Sequence, residues 1–185
     1  KRLASWCSAQ RPTPFRRSVC EAFCTLVREA DAMPHGPLDD LCAASMNNFV
    51  SAAIGTDAPL SQAMAAAIEQ GAIVCRRLWA RAGTWVNEER ADYLCALAFA
   101  RLGKHAEARE AALRGLGLIE SGGSQEVDEA FLLLELAHAG RSMGLGPESR
   151  AALERAHAIA RRWTDAGLRE WFGRQSAKRE LPALA

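Results

Sequence analysis

The chain has 185 residues, 49% of them apolar and 24% charged, with a formal net charge of +1. That length supports one domain or one repeat array with a sizeable core. The neutral balance excludes a global electrostatic draw toward nucleic acid, a membrane surface or acidic partners. The longest uncharged run, Leu41 to Thr56, is too short and too polar at Asn47 and Asn48 to span a bilayer. Ala and Arg are abundant, both good helix formers. Runs of β-branched residues are few and hairpin dipeptides are missing, so the chain reads as all-α.

Residues 1–10 are expected to form a short helix carrying Leu3 and Trp6, broken by Arg11-Pro12-Thr13-Pro14. A helix over about 15–32 places Val19, Phe23, Leu26, Val27 and Ala30 on one face, and Met33-Pro34-His35-Gly36-Pro37 is a loop. Two helices follow, over about 38–54 and 60–82, the second opening near Asp57 and Ser61. Between residues 41 and 68 the only charge is Asp57. A helix apolar nearly all round is buried on more than one side. This hairpin is therefore expected in the middle of the assembly, between the 15–32 helix and the 86–119 hairpin. A homodimer interface through 41–68 is the alternative way to bury it.

Gly83-Thr84 closes that hairpin, and residues 91–119 read as two helices folded back on each other. The first carries Tyr93, Leu94, Leu97 and Phe99 and stops at Leu102-Gly103, where glycine takes a left-handed backbone without strain. The second starts near Lys104, with Ala108, Ala112, Leu113, Leu116 and Ile119 at helical spacing. Small residues (Ala96, Ala100, Ala108 and Ala112) recur where the two helices approach. Ser121-Gly122-Gly123-Ser124 reads as a flexible connector, with Ser124 opening the next helix. Leu145-Gly146-Pro147-Glu148 is the next turn, with Pro147 in a first helical turn. The last helix begins near Thr164-Asp165 and carries Leu168, Trp171 and Phe172, and the polar tail from Gln175 is expected to fray.

Ala96, Phe99, Leu102-Gly103, Ala108 and Gly115-Leu116 together resemble one unit of the tetratricopeptide repeat (TPR) family. Leu136-Ala137, Met143-Gly144, Ser149, Leu153 and Ala156 restate the pattern in a second copy, at the offset that separates Gly103 from Gly144. That offset is longer than the usual TPR unit. A unit of such length resembles the long repeats of MalT-type bacterial regulators and of kinesin light chains. Asp92 stands where the family has Trp, Cys95 where it has Leu, and Ala112 where it has an aromatic, and no Pro closes the unit. The resemblance implies a right-handed solenoid of antiparallel helix pairs. It divides the chain into N-terminal helices (1–37), a divergent hairpin (38–84), two repeats (85–163) and a capping helix with its tail (164–185). Since Lys1 is not an initiator Met, the chain reads as a processed product or an excerpt.

Chemistry-bearing residues are sparse. Cys20, Cys24, His35 and Cys42 are ligand types for zinc, but their spacing matches no closed ligand set and a core stripe explains Cys20 and Cys24. Cys42, Cys75 and Cys95 sit among apolar residues on three helices as reduced thiols, which favours a cytoplasmic setting. His105, His138 and His157 have no Cys, Ser or carboxylate partner at a catalytic spacing. Neither a nucleophile elbow, a zinc-protease motif nor a phosphate loop occurs. Gly115-Leu116-Gly117 and Gly144-Leu145-Gly146 follow no strand. Arg16-Arg17, Arg76-Arg77 and Arg161-Arg162 read as solvated faces. The expectation is no enzyme, no metal and no cofactor.

The resemblance implies a concave groove lined by the first helix of each pair, which takes a peptide, a helix or a small ligand. Arg90, Tyr93, Arg101, His138, Arg141 and Ser142 are the polar residues expected there, with Asn47 and Asn48 from the preceding pair. Because a guanidinium forks onto a carboxylate, a carboxylate-bearing or acidic peptide is the expected protein partner. The function expected is peptide or protein binding, as a regulatory or scaffolding part of a larger bacterial system, with the Ala/Arg-rich, Lys-poor composition suggesting a GC-rich genome. A ligand-sensing domain of a transcriptional regulator is the alternative.

Overall fold

The computed structural model describes residues 14–34, 36, 38–56 and 58–179, with side chains from Cys20 onward. The helix expected at 1–10, His35, Asp57 and the end of the tail from residue 180 lie outside the described residues. The described residues form eight helices and no strand: α1 (Pro14–Ala32), α2 (Asp39–Ile54), α3 (Gln62–Ala82), α4 (Trp85–Arg101), α5 (His105–Gly122), α6 (Glu126–Ser142), α7 (Gly146–Ala160) and α8 (Ala166–Lys178).

The helix starts follow from local hydrogen bonding. The first turn of a helix leaves backbone N–H groups without partners, and short polar side chains answer them. Ser61 accepts from the Met64 N–H at 3.2 Å, and Asp165 from the Leu168 N–H at 2.9 Å. Asn87 reaches back to the Thr84 N–H at 3.0 Å. Pro147 occupies the first turn of α7. Gln125, not Ser124, borders α6, and α5 runs through Ser121 and Gly122, so the connector is shorter than the glycine-serine cluster suggested.

The ends of α4 and α6 are the same turn. Gly103 and Gly144 hold φ of 73° and 76°. The Lys104 N–H reaches the Phe99 carbonyl at 2.9 Å and the Gly103 N–H reaches Ala100 at 3.1 Å, which is a Schellman ending. Leu145 to Gly140 at 2.8 Å and Gly144 to Arg141 at 3.0 Å repeat both bonds at the end of α6. The same backbone turn therefore occurs at both helix ends, set by one glycine in each.

Helices pack as sequential pairs, α2 with α3, α4 with α5 and α6 with α7. Adjoining pairs meet through α3 on α4 and α5 on α6, while α2, α4 and α6 also touch one another in a row. α1 lies on α3. Close approach depends on small residues. Ala96, Ala108 and Ala112 are fully buried. A Cβ on Gly115 would come within 2.9 Å of Leu132 on α6, and one on Gly71 within 2.8 Å of Val50. The buried thiols stitch neighbours, Cys75 to the Ala43 carbonyl and Cys95 to that of Ala72, both at 3.4 Å. Burial pushes both thiols up to about 12, so they stay protonated.

α2 differs from the expectation of all-round burial. Ala43, Met46 and Val50 are buried, whereas Leu41, Ser45, Asn48, Ser51 and Ala52 are exposed. Serine, asparagine and alanine can face water without carrying charge, so a charge-free run does not imply a second covered face. The hairpin does lie between α1 and α4, as its composition suggested.

α8 is held by side chains. Phe131 of α6 packs against Trp171, the rings tilted by 43° with centroids 4.3 Å apart, and meets Phe172 at 5.5 Å. Trp163 and His157 also meet Phe172 edge-on.

Candidate functional site: the seam between α4 and α6

Helical spacing gathers a set of polar and aromatic side chains where α4 and α6 run together. On α4, Glu89, Arg90 and Tyr93 fall within one turn. On α6, Asp128, Phe131, Glu135 and His138 lie three or four residues apart along one face. Arg90 crosses the seam to Asp128 at 3.0 Å, and the rings of Tyr93 and Phe131 lie 6.4 Å apart. Burial pushes the Tyr93 phenol upward, reinforced by the Glu135 carboxylate and opposed by Arg179.

Two carboxylates are sealed in this region. Glu135 is buried at the centre of the apolar run of α6, and Arg179, at the end of α8, forms an ion pair with it. Burial raises its pKa and the guanidinium opposes the rise. Glu89 is 0% exposed, and among the described residues neither of its oxygens has a hydrogen-bond partner. Its pKa is pushed up to about 8, first by burial, then by Asp128, with Arg90 opposing and Asp92 adding a smaller rise. A third buried carboxylate, Asp92, faces the other side of α4, with Arg76 of α3 at 2.8 Å and Arg114 of α5 at 2.9 Å. Burial still outweighs the two guanidiniums and raises its pKa.

The far end of the seam holds two imidazoles. His105, at the start of α5, meets His138 edge-on at 5.8 Å. His138 hydrogen-bonds the backbone of Arg179, and burial, Arg179 and His105 all lower its pKa. Among the described residues no group of three His, Cys, Asp or Glu side chains is arranged to hold a metal ion. No described helix is long and apolar enough to cross a membrane.

The residues singled out in the sequence divide into three groups. Arg90, Tyr93 and His138 meet at the seam. Arg141 and Ser142 are exposed at the end of α6, just past His138. Arg101 turns instead to the α2–α3 loop, donating to the Ala58 carbonyl at 2.7 Å and to Thr56 at 3.3 Å. Asn48 is exposed on α2, and the half-buried Asn47 gives its backbone to the Cys75 thiol. Of the basic pairs, Arg16-Arg17 lie outside the residues whose side chains are described; Arg77, Arg161 and Arg162 are exposed, Arg77 pairing with Asp31 and Arg162 with Glu126, while Arg76 pairs with the buried Asp92.

Sequence reasoning missed Glu89, Asp92, Asp128, Glu135 and Arg179. A usable signal existed for one of them, because Glu135 is the only charge between Phe131 and Ala139. No protein-family model matches the chain, and no curated protein or solved structure matches it.

Proposed function

We propose that the chain is a TPR-like helical-repeat module whose α4–α6 seam binds a peptide or helix of a protein partner. In this reading α2, α4 and α6 form the inner row of a right-handed solenoid, and the module serves regulation or scaffolding within a larger bacterial system. Two features support the repeat: the turn that recurs at Gly103 and Gly144, and the pairwise packing.

The observation that carries the binding reading is α8. The end of the seam already accepts a helix, through Trp171 and Phe172 on Phe131 and Arg179 on Glu135. Large aromatics and arginine are the side chains that dominate interface energetics elsewhere. Two of the arginines expected to grip a carboxylate already have partners within the chain, Arg90 with Asp128 at the surface and Arg101 with loop carbonyls. An acidic partner is therefore not carried forward.

The test is selection of binders from a random dodecapeptide display library on the immobilised chain, followed by amide chemical-shift mapping of the best peptide. Shifts concentrated on α4 and α6, around Arg90, Tyr93 and His138, are expected. A library without binders, or shifts centred on another face, overturns the reading.

A further inference from the structure

We propose that Glu89 and Asp128 form a subsite for one basic side chain, an ammonium or a guanidinium, of the partner bound at the seam. This rests on the binding reading above and adds the chemical class of the residue recognised.

The argument starts from an imbalance. The seam encloses two buried carboxylates. The chain pairs Glu135 with its own Arg179, whereas among the described residues both oxygens of Glu89 are without a hydrogen-bond partner. A buried polar group without a partner is costly to keep, and such groups mark sites where a ligand completes the set. The strongest charge acting on Glu89 is Asp128, across the seam on α6. Arg90 and Asp92 act from α4 itself. From α5 the neighbour is Gly115, whose missing side chain lets Leu132 and the Glu89 backbone close in.

Access runs through Arg90. Its side chain is 59% exposed and its pair with Asp128 sits at the surface. An exposed pair of this kind stabilises little, so an incoming cation can displace Arg90 from Asp128 at low cost. The cation then lies between Asp128 and Glu89, and the proton that Glu89 carries near neutral pH passes to solvent. Binding thus exchanges one proton for one basic group. Arg179 on Glu135 shows the same recognition made within the chain.

The experiment uses the full chain and its Glu89→Gln variant, each sorted against the same dodecapeptide library. The expected result is a Lys or Arg at a fixed position in the peptides selected on the natural chain. Its replacement by Gln should weaken binding about tenfold or more, a step of about 1.4 kcal/mol. On the Glu89→Gln chain that difference should shrink below about threefold. Calorimetry at pH 7 in buffers of different ionisation enthalpy should show about one proton released per peptide, and none for Glu89→Gln. Peptides selected without a basic position, or bound equally by both chains with no proton release, overturn this inference and leave the binding reading standing. A library without binders overturns both.

Discussion

Replacing Glu89 by Gln should stabilise the protein at neutral pH and leave it unchanged in acid. The carboxyl is fully buried without a partner, and its folded pKa is about 8 against an ordinary 4.5. Because the folded value is raised, the unfolded chain loses this proton first. Stability is full below pH 4.5, falls as the pH rises toward 8, and levels off above it. Each unit in that window is worth about 1.4 kcal/mol, so the ceiling at pH 7 is about 3 kcal/mol. Movement of Asp128 and entry of water reduce this, and a gain of about 1–3 kcal/mol is expected. The amide keeps the size and hydrogen-bonding character of the protonated acid, so packing is unchanged. Urea unfolding at pH 4.5, 7 and 8.5, followed by far-ultraviolet circular dichroism, measures the difference directly. It should widen from near zero at pH 4.5 to its full value by pH 8.5. A difference independent of pH, or a variant less stable at pH 7, would refute the reasoning.

Three further expectations follow from the packing. Gly103→Ala and Gly144→Ala should each cost about 1–2 kcal/mol and match within experimental error, since both glycines hold positive φ with no atom near the added Cβ; unequal losses in thermal unfolding contradict the equivalence of the two turns. Gly115→Ala adds a methyl 2.9 Å from the fully buried Leu132, and overpacking of about 1–3 kcal/mol should exceed a helix-propensity gain of up to about 1 kcal/mol. Adding Leu132→Ala should then cost less than the two single losses together, as a double-mutant cycle would show. Arg76→Gln with Arg114→Gln leaves Asp92 buried without its cations and raises its pKa further. The loss should be about 1–2 kcal/mol at pH 8, discounted because the guanidiniums are 37% and 41% exposed, and should shrink as the pH falls, because the raised pKa favours the protonated carboxyl in acid.

Helix positions were legible because their signals are local. Leu102-Gly103, Met143-Gly144, Pro147 and Asp165 act within four residues of themselves, and each sits at the helix border it announced. The recurrence of the turn was legible for the same reason, since a single glycine fixes it at each place. The buried charges were not. Asp92 finds its partners 16 and 22 residues away, and nothing beside it distinguishes it from a surface aspartate. The helical period could place Arg90 and Arg101 on α4, but not what they touch. Arg90 is answered from α6 and Arg101 from the α2–α3 loop, both set by tertiary packing. On α2, hydropathy misled because Ser45 and Asn48 are polar without being charged.

The paired turns at Gly103 and Gly144 make chain length a discrete variable. Their closing backbone hydrogen bonds correspond, Lys104 to Phe99 with Leu145 to Gly140 and Gly103 to Ala100 with Gly144 to Arg141. A gene duplication or excision with breakpoints in these two turns therefore joins one helix end to an identical helix end, and the reading frame of the packing is kept. Gains and losses of other lengths would have to build a new turn. On the repeat reading proposed above, copy number, rather than residue number, is the quantity that such a chain can vary without relearning how to fold.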